Sequence, residues 1–134
     1  METSKVTYLG DLRTECVHLQ SGNKIITDAP IDNCGKGEAF WPTDLCATSF
    51  ASCILTVMGI LAQRHKIELK GAQAYVTKVM GEDPRRIVEI IIKIKMPKSD
   101  FSDKEKKILE KVIKNCPIGN TLGENVKKSV QVEY

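Results

Sequence analysis

The chain has 134 residues, with 20 Lys and Arg against 17 Asp and Glu, five cysteines and two histidines. That length suits one domain, residues 1–134, able to build a real apolar core. The small positive surplus, scattered among acidic residues, argues against nucleic acid or an anionic membrane as the main partner. Five thiols without a C-x-x-C pair leave no zinc ribbon or thioredoxin motif and argue against a disulfide framework. METSKVTYLG has no apolar signal region, so the expectation is a cytoplasmic protein with reduced thiols.

Lys5 to Leu9, Leu12 to Leu19 and Lys24 to Asp28 read as three short strands, the last two joined by the turn Gln20-Ser21-Gly22-Asn23. Ala29 to Glu38 has the Pro, Asn and Gly content of a loop. Pro42 to His65 follows, and between Leu45 and Ala62 it carries no charged side chain. Its apolar residues leave scarcely any face free, the pattern of a helix enclosed on most sides. Pro42, Thr43 and Asp44 suit its first turn, while Arg64, His65 and Lys66 suit the negative end of its dipole. About 22 residues would span roughly 33 Å, but Thr48, Ser49, Ser52, Thr56 and Gly59 dilute the run and no second one exists. A helix at the centre of a soluble fold is therefore expected, not a membrane span.

Glu68 to Val79 is strand-like, with Gly71 as a bulge, and Gly81 to Pro84 forms a turn. Val88, Ile90, Ile92, Ile94 and Met96 alternate with Glu89, Lys93 and Lys95, the period of a strand buried on one face, with Ile91 discordant. Ser102-Asp103-Lys104-Glu105 is a capping box opening a second helix with the stripe Ile108, Leu109, Val112 and Ile113. That helix stops at Cys116-Pro117. Val126, Val130, Val132 and Tyr134 mark a closing strand, with Lys128 the exception on its apolar face. About six strands and two main helices in this order predict an α+β fold.

Cys53 and Cys116 are the thiols in suggestive settings. Cys53 sits midway along the apolar helix, where a thiol is by default a small hydrophobe. Cys46 lies seven residues earlier, about 10 Å along the axis, too far for a direct disulfide, and is read as a packing residue. Cys116 continues the apolar stripe of the second helix. If Pro117 begins a new helical turn, the thiol stands at a positive helix end that favours thiolate; otherwise it is a buried cap neighbour. Two histidines give no metal-binding spacing. Phe40, Trp41, Phe50 and Met58 suit the core or an apolar pocket.

Phe40-Trp41-Pro42-Thr43-Asp44-Leu45, Ala51-Ser52-Cys53 and Asn115-Cys116-Pro117-Ile118 resemble the paired cysteine motifs of the OsmC/Ohr family of organic hydroperoxide reductases. The resemblance implies an OsmC-like fold, an antiparallel sheet wrapped around a long central helix, in an intertwined homodimer with active sites at the subunit interface. It implies a peroxidase of the oxidative stress response in which Cys53 is the peroxidatic thiol and Cys116 the resolving one, with no metal or bound cofactor. The implied substrate is an organic hydroperoxide, and the implied reductant is a dithiol or a lipoylated protein.

A thiol midway along a buried helix needs a nearby cation to ionise. By resemblance that cation is an arginine held by a glutamate, and Arg13 is the best positional match. The glutamate position is Thr43 in this chain, which shifts the task of orienting Arg13 to Asp44 or to Glu38. Read without the resemblance, Arg13 is a solvated strand residue and Asp44 a helix cap. Thr43 also motivates an alternative function, a dimeric protein of the same fold that binds a small hydrophobic ligand and has no peroxidase activity.

Overall fold

The computed structural model describes all 134 residues, Met1–Tyr134, and they divide into two compact units, Met1–Cys46 and Ala47–Tyr134. The division falls inside the long helix α1, Pro42–Arg64.

The first unit is a three-stranded antiparallel sheet of β1, Ser4–Gly10, β2, Arg13–His18, and β3, Lys24–Asp28, in that spatial order. Asp11 and Leu12 join β1 to β2 with φ of 56° and 60°, so both central residues of this tight turn are left-handed, the geometry that matches strand twist. Between β2 and β3 the turn is longer than a two-residue turn at Ser21-Gly22. His18 donates its N–H to the Asn23 carbonyl at 2.8 Å, and Gly22 donates to the His18 carbonyl at 2.7 Å. That longer loop sets Arg13 opposite Asp28, where the shorter turn would have set it opposite Pro30. After a 3-10 turn at Ile31–Asn33, the Asp28 N–H donates to the Phe40 carbonyl and ties the loop back onto β3. Asp44 accepts at Oδ2 from the Trp41 N–H at 3.0 Å, the reaching-back half of a capping box, with Pro42 at the first helical position.

The second unit holds the apolar core. From α1 come Ala47, Phe50, Ala51, Ile54, Met58 and Ala62, a stripe at helical spacing. They join Ile90, Ile92 and Ile94 of β5, Arg86–Lys95, together with Met96, Leu109, Val112 and Cys116. Each large apolar side chain so enclosed contributes about 1.5–3 kcal/mol. Ser52, Thr56 and Ile60 stay exposed, so α1 is less enclosed than its sequence suggests. By length and composition α1 could cross a membrane. Its buried stripe lies in the core cluster, which is how the central helix of a folded unit satisfies the same criteria. Beyond the end of the helix at Arg64, Lys66 is left-handed at φ 55°, with the Ile67 N–H returning to the Ala62 carbonyl at 2.8 Å.

Strand β4, Gln73–Gly81, begins later than the expected Glu68, because Leu69 to Ala72 is a turn closed by the Ala72 N–H on the Leu69 carbonyl. Gly71 takes its positive φ of 95° in that turn, and the bulge falls instead between Val79 and Met80. Strand β5 pairs antiparallel with β4, while β6, Lys127–Glu133, pairs parallel with β5 and departs from an all-antiparallel arrangement. The chain crosses over between them through α2, Asp103–Glu110, a 3-10 turn at Lys111–Lys114, and α3, Pro117–Leu122, and such a crossover returns a strand in the same direction. Ser102 and Glu105 form the predicted capping box at α2. Lys128 occupies the apolar face because its ammonium reaches out to the carbonyls of Gly123 and Val126.

Candidate functional site

Cys53 and Cys116 meet in the second unit, close enough for the Cys53 side chain to act on the titration of the Cys116 thiol. Cys53 comes from the middle of α1 and is half-buried; Cys116 has no exposed surface. The crossover makes the meeting possible. Pro117 cannot extend the preceding helical segment, so the chain turns at Cys116, which takes extended backbone (φ −80°, ψ 146°) as the cap of α3. Its sulfur accepts a hydrogen bond from the Gly119 N–H at 3.2 Å. Burial pushes the Cys116 thiol above its ordinary pKa and negative charge on Cys53 adds to that rise, while the Gly119 N–H opposes it. Cys116 therefore stays protonated to higher pH than a free thiol.

The first unit carries a separate polar cluster on Arg13. The Arg13 Nε donates to Asp28 Oδ1 at 2.7 Å and Nη2 to Asp28 Oδ2 at 2.9 Å, a two-point fork. Nη2 also donates to Glu38 Oε2 at 3.0 Å. The Asp28 side chain is wholly buried, and its Oδ2 further accepts the Glu38 N–H at 3.0 Å. These bonds to Asp28 hold the guanidinium charged and its pKa above the ordinary value, and the guanidinium holds the Asp28 carboxyl below the usual carboxylate range.

Of the predicted residues, Cys53 and Cys116 are thus brought together, and Arg13 is held by Asp28 and Glu38. Asp44 caps the start of α1 through Trp41. Asp28 and Gly119 are functional candidates that the sequence reading passed over. Asp28 looked like a strand end, and only the β2–β3 register faces it to Arg13. Gly119 had a weaker signal, since it stands three positions after the residue preceding Pro117, where a helix cap's side chain accepts an N–H. Cys46 is exposed instead of packed, Cys34 is exposed, and Cys16 is half-buried in β2. Phe50 and Met58 are core, whereas half of Phe40 is exposed. No three His, Cys, Asp or Glu side chains converge as metal ligands.

The family model described as OsmC-like protein matches residues 35–131. Among solved structures, a candidate osmotic stress induced and detoxification response protein from Psychrobacter arcticus 273-4 is 51% identical, with a TM-score of 0.95 over 99% of this chain and 96% of its own. An OsmC-like protein from Mycoplasma pneumoniae is 22% identical, with a TM-score of 0.80 over 97% of this chain and 94% of its own. An organic hydroperoxide resistance protein OsmC from Legionella pneumophila has a TM-score of 0.75 at 17% identity, over all of this chain and 98% of its own. No curated protein matches. With the family model spanning most of the chain and a structural relative of such high identity, this protein belongs to the OsmC-like family.

Proposed function

We propose that the chain is a cysteine-dependent peroxidase that reduces organic hydroperoxides. The observation that carries this reading is the meeting of Cys53, from the middle of α1, with Cys116, the buried cap of α3. In the first step the Cys53 thiolate attacks the O–O bond of the hydroperoxide, leaving sulfenic acid on Cys53 and releasing the alcohol once the alkoxide takes a proton. Cys116 then attacks the Cys53 sulfur: an S–S bond forms, the S–O bond breaks, and hydroxide leaves as water with the Cys116 proton. A dithiol, free or carried as the lipoyl group of a protein, reduces the disulfide by exchange.

Cys53 is the more accessible sulfur, so the dithiol attacks there and Cys116 departs. The cation that favours the Cys53 thiolate is assigned, by resemblance, to Arg13, with Asp28 and Glu38 as the carboxylates that hold it. We take the working form to be a homodimer in a reducing compartment such as the cytoplasm. In support, Val6, Tyr8 and Ile25 leave an apolar face of the first sheet uncovered, and Ile60 is open on α1.

The test is turnover of cumene hydroperoxide with a dithiol reductant. Wild-type protein is expected to turn over, Cys53→Ser to fall to background, and Cys116→Ser to oxidise once and stop. Wild-type protein no faster than Cys53→Ser would sink the peroxidase. Saturable binding of a hydrophobic ligand in its place would establish the binding protein.

A further inference from the structure

We infer that Gly119 is a positioning residue for the second thiol: its N–H and its missing side chain together set where the Cys116 sulfur lies when the disulfide with Cys53 closes and reopens. The inference deepens the peroxidase reading and rests on the same thiol pair. Gly119 lies in α3, away from the left-handed backbone region that favours glycine. No conformational reason therefore calls for glycine, which is a poor helix former. Space does call for it. A Cβ at this position would lie 3.2 Å from the Cys116 sulfur and 3.2 Å from Cε1 of Phe50.

Both neighbours are fully buried. Neither can swing into solvent, so a methyl group must displace the ring, the sulfur or both. The N–H of the same residue donates to that sulfur at 3.2 Å, so moving one disturbs the other. The bond matters twice in the cycle. During closure, negative charge gathers on the Cys116 sulfur as it gives up its proton and bonds to Cys53. During reduction, attack on Cys53 expels Cys116 as thiolate, and a donor on the leaving sulfur favours its departure. Gly119 touches no substrate and acts only through Cys116.

The experiment compares wild type, Gly119→Ala and the neighbouring control Asn120→Ala. Reduced protein is pulsed with cumene hydroperoxide, and Cys53 sulfenic acid trapped with dimedone is quantified against disulfide by mass spectrometry. Diamide drives disulfide closure in a parallel arm without hydroperoxide. In Gly119→Ala, Cys53 should be oxidised at the wild-type rate while closure slows about tenfold in both arms, a barrier change of about 1.4 kcal/mol. The trapped fraction should rise accordingly, and Asn120→Ala should behave as wild type. Closure at the wild-type rate, even with a lowered melting temperature, would overturn the assignment. Should Gly119→Ala not fold, the Gly119 amide proton of labelled wild-type protein provides the readout: it should shift as Cys116 ionises, and a signal that stays put would overturn the assignment. A wild type inert to hydroperoxide but still slowed by the substitution in the diamide arm would reject the peroxidase while keeping the role of Gly119.

Discussion

The two units of this protein are stabilised by different kinds of interaction. In Ala47–Tyr134 a continuous apolar cluster encloses a thiol, and the ordinary hydrophobic argument accounts for its order. In Met1–Cys46 the buried positions are Thr27, Asp28 and Pro30, and the local centre is an ion pair; Val6, Tyr8 and Ile25 stand open on one sheet face. A three-stranded sheet with so little burial of its own is marginal. The contrast teaches that one unit encloses a thiol, Cys116, in an apolar core, while the other holds a cation in a fixed pose and leaves apolar side chains exposed on one sheet face.

The largest expected effect tests the core. Ile92→Ala removes a fully buried side chain from the middle of β5 and should lower stability by about 2–5 kcal/mol, read as a shift of the urea midpoint. A loss well below that range would erase the distinction between the units.

Asp28→Asn comes next, and pH gives its signature. Asp28 titrates below its ordinary value in the folded chain, so its carboxylate contributes stability above the unfolded pKa of about 4 and loses it as pH falls toward the depressed folded value. Wild type should exceed Asp28→Asn in urea midpoint at pH 7, and the gap should close as the solution is acidified below about pH 4. A gap independent of pH would mean that Asp28 serves through packing alone.

Ser102→Ala removes the side-chain acceptor for the Glu105 N–H at the start of α2 and should cost about 1 kcal/mol, with disulfide closure unchanged. The smallest effect sharpens the contrast most. Val6→Ser, on the open face of the first sheet, should change the stability of an unassociated chain by no more than about 0.5 kcal/mol. Yet it should weaken self-association in sedimentation if a second copy covers that face. Equal sedimentation of variant and wild type would remove that face from the proposed dimer.

Particular residues show how far the sequence could be read. The alternation in β5, the capping box at Ser102, the apolar run of α1 and the break at Pro117 each follow from local rules, and each stands in the structure close to where it was expected. Strand β4 starts later than its local residues suggest, because Leu69 to Ala72 carries strand-like residues while its backbone closes a turn. Lys128 contradicted its strand's pattern until the carbonyls of Gly123 and Val126 supplied partners for its ammonium.

By itself the sequence determined the elements, their order, the family motifs and the two cysteines worth watching, because helix periodicity, strand alternation and capping act between residues a few positions apart. Only the tertiary structure decided that β6 lies parallel to β5, that Asp28 grips Arg13, and that Gly119 bonds the sulfur facing Cys53. Each depends on strand register or on a crossover, and these settle when distant segments bury a common surface, a condition that no short window of sequence contains.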